Sequence, residues 1–230
     1  MIGLIGAMDV EISQLVKLMT EVEVIEIADM KFNRGKLKGV DAVVVKSGIG
    51  KVNAAICTQI LASCFEVDTV INTGVAGSLR NEINIGDIVL STDAMQHDMD
   101  ATGFGYKPGI IPQMKTSVFV ADEKLRRLAA DACREAVPEV SVYEGRVVSG
   151  DQFINDRSTK ERLIDIFDGF CTEMEGAAIA QAAYLNHMSF LIIRAISDKA
   201  DNSAGMDYDK FEKKAIEHFV ALVLKMLEKL

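Results

Sequence analysis

Six short apolar runs in this chain end alike: each is followed within a residue or two by glycine, a small hydroxyl or an acid. "IGLIGA" leads to Met8, Asp9 and Glu11. The run ending at Lys46 leads to Ser47-Gly48-Ile49-Gly50. "TVIN" leads to Thr73-Gly74-Val75-Ala76-Gly77-Ser78, and "RVV" to Ser149-Gly150-Asp151-Gln152-Phe153-Ile154. "FCT" leads to Glu173-Met174-Glu175, and "FLIIRAI" to Ser197-Asp198. Runs this short, bounded by turn residues, read as buried strands. Between them lie stretches with helical spacing, such as Ile12, Leu15, Val16 and Met19. Buried strands alternating with helices require a layered α/β fold with a largely parallel or mixed sheet. Ligands of such sheets gather beyond the carboxyl ends of the strands. The six strand ends are therefore where a site is expected.

The pattern also predicts individual elements. Asp9 opens a helix over about Val10–Met19, and Met30–Leu37 with Asp41–Lys46 forms a hairpin turning at Lys38-Gly39. A helix follows "SGIGKVNAA" and ends near Phe65. A longer strand follows Gly86, and Thr102–Lys115 is a loop. Asp122 caps a helix over Glu123–Ala136, a short helix covers Thr159–Phe167, and the alanine-rich stretch after Glu173 is a buried helix. A final amphipathic helix runs over about Tyr208–Leu227. No repeat, low-complexity segment or linker divides the chain, so residues 1–230 are expected to form one domain.

Charge and composition narrow the partners. A formal net charge of -9 repels phosphate backbones and anionic membranes, so neither nucleic acid nor membrane is expected as a partner. The first apolar run has no basic flank and is followed by Asp9 and Glu11, which fits a first strand and not a signal peptide. No run approaches the roughly 18 apolar residues of a membrane span. Cys57, Cys64, Cys133 and Cys171 show no paired spacing and are expected to be reduced thiols of a cytoplasmic protein. His97-Asp98-Met99-Asp100 offers oxygen and nitrogen ligands, but the three histidines lack metal-ligand spacing, so no metal is expected.

The glycine loops do not bind a nucleotide in a familiar way. Gly48-Ile49-Gly50-Lys51 is followed by Val52, where a phosphate-cradling loop needs serine or threonine, and no GxGxxG is complete. The acids say more. Glu11, Glu173, Glu175 and Asp198 all fall at strand ends in apolar surroundings. Taken singly, each reads best as a helix cap or half of a salt bridge; taken together they mark a site. Burial and mutual repulsion raise carboxyl pKa values, so one group can serve as an acid while another serves as a base. Two such groups flanking a glycosidic bond are the usual arrangement for its hydrolysis. Glu173 and Glu175 are two residues apart, so on a helix they would point in different directions and could not share one role.

At this point the residues carry a resemblance. "TEMEGAAIAQ", "IIRAISDKAD", "NTGVAG" and "SGDQFI" resemble the purine nucleoside phosphorylase/hydrolase superfamily. "GLIGAMDVEISQL" resembles the 5'-methylthioadenosine/S-adenosylhomocysteine nucleosidases within it. The resemblance implies a single-domain, three-layer α/β fold with a central mixed, partly barrel-like sheet flanked by helices, active as a homodimer. It implies hydrolysis of the N-glycosidic bond of those nucleosides, with no cofactor, releasing adenine and a 5-thio-substituted ribose. Asp198 matches the general acid that protonates adenine N7, with Ser197 orienting it, and Glu11 matches the carboxylate that activates water. Glu175 matches the acceptor of the ribose hydroxyls, Met174 packs on the sugar, Phe153 stacks on adenine and the Ile154 backbone pairs with its edge. Val75, Ala76 and Gly77 line the pocket, and Arg194 supports the water and the acids. Met8, Ile49 and Phe211 form the apolar 5'-thio side, which Phe104 and Tyr106 of the partner subunit complete. Glu173 is read as a helix cap or as the structural partner of Arg194.

Three rival readings remain. A phosphorylase needs cations beside the anomeric carbon, yet Asn72-Thr73 stands where phosphorolytic relatives carry an arginine. A futalosine-type nucleosidase would differ only in the tail pocket. A catalytically dead nucleoside-binding module is opposed by the intact Glu11, Glu175 and Asp198.

Overall fold

The computed structural model describes residues 1–201 and 204–229, with the backbone alone described over 204–215. The apolar runs form strands because their β-branched residues are buried on both faces, as parallel pairing requires. β1 (Ile2–Gly6) is buried throughout and β5 (Thr69–Ser78) nearly so, while β4 (Val40–Lys46) is buried over its central Ala42–Val45. β4 pairs antiparallel with β3 (Met30–Leu37) across the expected turn, where Lys38 and Gly39 both take positive φ. Beyond β3 lies β2 (Thr20–Ile27), an exposed edge strand absent from the elements expected above. The sheet continues through β6 (Ile88–Gln96), a two-residue β7 (Phe119–Val120), β8 (Val142–Ser149), β9 (Cys171–Glu173) and β10 (Ser189–Asp198).

The strand order is β10-β6-β8-β9-β5-β1-β4-β3-β2, with β10 also paired to β5. That extra pairing closes β5, β10, β6, β8 and β9 into a five-stranded ring, from which β1, β4, β3 and β2 fan outward. The mixed, partly barrel-like sheet flanked by helices is thus the architecture observed. The helices are α1 (Asp9–Leu18), α2 (Lys51–Phe65), α3 (Glu123–Ala136), α4 (Arg157–Phe167), α5 (Gly176–Leu185) and α6 (Ala204–Leu227). α2 packs on α5, and α3 on α6, which in turn covers β10 and β5. α3 starts where Asp122 accepts the amides of Lys124 and Leu125. α4 begins two residues earlier than expected because Asp156 caps it. α6 begins before Tyr208, at Ala204.

Closure of the ring brings strand ends together. Gly77 of β5 is in register with Thr172 of β9 and with Asp198 of β10, and Ser149 of β8 with Glu173 of β9. The β5–β10 register shifts between Ile196 and Asp198. Such a bulge re-aims the side chains that follow it. The alanines of α5 are buried on nearly every side, so the helix lies close against the sheet and its first turn reaches the same strand ends. An alanine-rich helix sacrifices little side-chain entropy in packing this way.

Candidate active site

A cavity of about 620 Å³ opens at the converging strand ends. It is lined by Met8, Glu11, Ile49, Val75, Ala76, Gly77, Phe153, Met174, Glu175, Arg194, Ser197 and Asp198, all singled out from the sequence. Ala7, Thr172 and Glu173 line it as well. Ala7 and Thr172 were missed: Ala7 is a small apolar residue with no chemistry to flag it, while Thr172 carries the kind of strand-end hydroxyl that marks the other positions. The Ile154 side chain is buried in a satellite core with Leu79 and Phe167, so that position would offer its backbone to a ligand. Phe104 is 87% exposed and Tyr106 39% exposed, and neither lines this subunit's cavity. Phe211 lies outside the residues whose side chains are described.

The cavity floor is a buried charge cluster. Arg194, on β10, is 1% exposed. Its Nη2 donates to Glu173 and to Asn72 Oδ1 (2.5 Å), and its Nη1 donates to the Val75 carbonyl (3.4 Å). Glu175 Oε2 lies 3.8 Å from the guanidinium. Burial alone would lower the Arg194 pKa, but Glu173, Glu175 and Glu11 together raise it. Asn72 donates to the Ile5 carbonyl (3.0 Å) and accepts from the Arg194 guanidinium, so its amide bridges β1 and the site's arginine. Among the described residues lining the cavity, Arg194 is the only cation.

The two neighbouring glutamates do not share a helix. Glu173 closes β9, while Glu175 is the N-cap of α5 with φ -130° and ψ -41°. Their separate roles thus follow from a strand end and a helix cap, which corrects the reading that places both on one helix. Glu173 accepts the amides of Glu175 (3.2 Å) and Gly176 (2.8 Å), the Ser149 hydroxyl and the Arg194 guanidinium. It therefore caps α5 and neutralises Arg194 at once. Glu175 accepts the Gly50 amide (2.9 Å) and faces the cavity. Desolvation first, then the Glu173 charge, push its pKa up to about 7 against the pull of Arg194.

Glu11 combines a structural and a chemical position. It is the third residue of α1, and its Oε2 accepts the amides of Ala7 (2.7 Å) and Met8 (3.0 Å). Its Oε1 accepts the Val75 amide (3.2 Å). Burial raises its pKa, and Arg194 with the three amides holds it back in part. Gly74 permits this meeting, because a Cβ there would collide with both Arg194 Nη1 and Glu11 Oε1. Asp198, 2% exposed, accepts the Ser197 hydroxyl (2.9 Å) and the Ala200 amide (2.7 Å). The arrangement supplies two carboxylate groups from different strand ends, a third open to hydroxyls, and apolar walls from Met8, Ile49, Phe153 and Met174.

Comparison with known proteins agrees with this fold. The profile described as "Phosphorylase superfamily" matches residues 1–228. A 5'-methylthioadenosine/S-adenosylhomocysteine nucleosidase of Staphylococcus carnosus is 43% identical over the whole of both chains. The solved nucleosidase of the same designation from Neisseria meningitidis, in complex with methylthio-immucillin-A, is 37% identical, with a TM-score of 0.95 over 100% of this chain and 99% of that one. The futalosine hydrolase of Helicobacter pylori is 32% identical, with a TM-score of 0.94 over 100% and 97%. The chain belongs to the phosphorylase superfamily and, within it, to the 5'-methylthioadenosine/S-adenosylhomocysteine nucleosidase family.

Proposed function

We propose that this protein is an N-glycosidic hydrolase that cleaves 5'-methylthioadenosine and S-adenosylhomocysteine to adenine and a 5-thio-substituted ribose. One observation favours water over phosphate as nucleophile. Glu11, Glu173 and Glu175 surround Arg194, so among the described residues of the cavity no cation is left to hold an oxyanion beside the sugar. A cluster of this sign repels phosphate. The apolar wall of Met8, Ile49 and Met174 suits a thioether tail, since thioethers pack well against polarisable, apolar groups.

In the reaction, Phe153 stacks on the purine and Glu175 accepts the ribose hydroxyls. Asp198 gives its proton to N7 as the bond from C1' to N9 breaks, so adenine leaves neutral. Glu11 takes a proton from the water whose oxygen forms the new bond to C1'. The acid and base come from separate strand ends, as attack and departure on opposite faces of C1' require. The two products together contain the atoms of substrate and one water.

The test is adenine release from each candidate nucleoside. Methylthioadenosine and S-adenosylhomocysteine are expected to be turned over with far higher kcat/KM than futalosine; the reverse order would reject the substrate assignment. The acidic limb of kcat/KM is expected near pH 7. Glu175 binds and Glu11 acts only when ionised, and both pKa values are raised, that of Glu175 to about 7. The two groups interact, so the limb reports the pair. A limb near pH 4.5 would show that neither shift operates in solution.

The working form is proposed to be a homodimer acting in the cytoplasm. Phe104 (87% exposed), Val52 (70%) and Ile49 (54%) present apolar surface of the kind a subunit contact covers. Among the described residues no helix is long and apolar enough to cross a membrane. Sedimentation equilibrium at twice the chain mass of 25.1 kDa would support the dimer, and a single-chain mass would reject it.

A further inference from the structure

Three sequence motifs are not absorbed by the chemistry: "GIGK" at the start of α2, "HD" after β6 and "SGD" after β8. The fold brings their charged residues together although they lie far apart in sequence. Lys51 Nζ donates to Asp98 Oδ1 (2.6 Å) and to Gln96 Oε1 (2.9 Å). The other oxygen of Asp98 accepts the Asp151 amide (2.9 Å), and Asp151 Oδ1 accepts the Lys51 amide (2.8 Å). The circuit therefore closes on itself: side chain to side chain, side chain to backbone, and back to the backbone that carries the lysine.

The circuit joins the two walls of the cavity. Lys51 follows Gly50, whose amide binds Glu175 Oε1 (2.9 Å), and Ile49 before it lines the cavity. Asp151 opens the loop that carries Phe153. Two successive amides at the start of α2 thus anchor the ribose carboxylate and the purine loop, where the helix dipole favours negative charge. Gly50 takes φ +96°, and a Cβ there would meet Asp151 Oδ1 at 3.1 Å, so this close approach depends on glycine. The Lys51–Asp98 pair is mostly shielded, with side-chain exposures of 19% and 15%. Hydrogen bonds to charged groups that are withdrawn from water in this way are the stronger kind.

We propose that Lys51, Asp98 and Asp151 form a latch that sets the distance between the Phe153 loop and Glu175, making them positioning residues for nucleoside binding. The inference rests on the nucleosidase reading for its kinetic consequence. Lys51→Met, Asp98→Ala and Asp151→Ala are each expected to raise KM for 5'-methylthioadenosine about tenfold, with kcat changed by less than about threefold. Asp151→Asn keeps the acceptor Oδ1 and is expected to bind nearly as the wild type does. Amide hydrogen exchange supplies a readout independent of activity. Each latch-breaking variant is expected to speed exchange in both segments, 48–53 and 150–155. Asp151 is exposed, so Asp151→Ala leaves the core intact and keeps the test available if the other two fold poorly. Faster exchange in only one of the two segments, or in neither, or an unchanged KM in active variants, would overturn the latch. If the wild type released no adenine, the functional reading would fall, while exchange in the two segments would still decide the latch.

Discussion

Asp198→Asn is expected to lower kcat by about 10²–10⁴-fold while adenine affinity stays within a few-fold of wild type. The substitution preserves the size of the side chain and one oxygen to accept the Ala200 amide or the Ser197 hydroxyl. It removes the proton that the departing purine needs. Without that proton the base leaves as an anion, so the loss falls on the chemical step and not on binding. Single-turnover adenine release with product-binding titration would separate the two. An equal loss of kcat and adenine affinity would mean that residue 198 mainly shapes the purine pocket.

The second large effect concerns stability, and it has opposite signs at two acids separated by one residue. Glu173→Gln is expected to destabilise the protein by about 3–5 kcal/mol, because it removes the one carboxylate hydrogen-bonded to the fully buried guanidinium and leaves only the more distant Glu175 and Glu11 to offset its charge. For a chain of this length that corresponds to a fall in Tm on the order of 10 °C. Glu175→Gln is expected to leave Tm unchanged or raise it at pH 8. The sign follows from linkage. The folded pKa of Glu175 is about 7, against a reference of 4.5. The folded protein therefore holds this proton more tightly, and the stability that goes with it is present at low pH and lost as pH rises through 7. At pH 8 the ionised side chain is a net burden that glutamine lacks. Its substrate affinity is nonetheless expected to fall sharply. Thermal unfolding of both variants at pH 5 and pH 8 checks the pair. Equal destabilisation would show that Arg194 is shared evenly between the two carboxylates.

The contrast between these acids shows what could be read in advance. Strand ends announce themselves locally, because a buried apolar run must stop where glycine, serine or an acid begins. Glu11, Glu175 and Asp198 were legible for that reason, and α3 was legible from its Asp122 cap. The edge strand β2 was legible in principle, since Val22 and Val24 alternate with Glu21 and Glu23. It has little buried surface, so no apolar run pointed to it. β7 is two residues long and carries no period at all. Closure of the ring through β5–β10 is a long-range pairing that no local pattern encodes; only the likeness to known nucleosidases suggested it. The same limit applies to the Lys51–Asp98–Asp151 circuit. Its members come from three motifs that look like separate turns until the folded sheet, through β4, β6 and β8, brings them together.

Adenine release from 5'-methylthioadenosine, followed with and without inorganic phosphate, tests the central reading most directly. The acid-ringed arginine predicts an equal rate in both buffers, with free 5-methylthioribose as the only sugar product. A rate that vanishes without phosphate, with a sugar 1-phosphate formed in its presence, would contradict it.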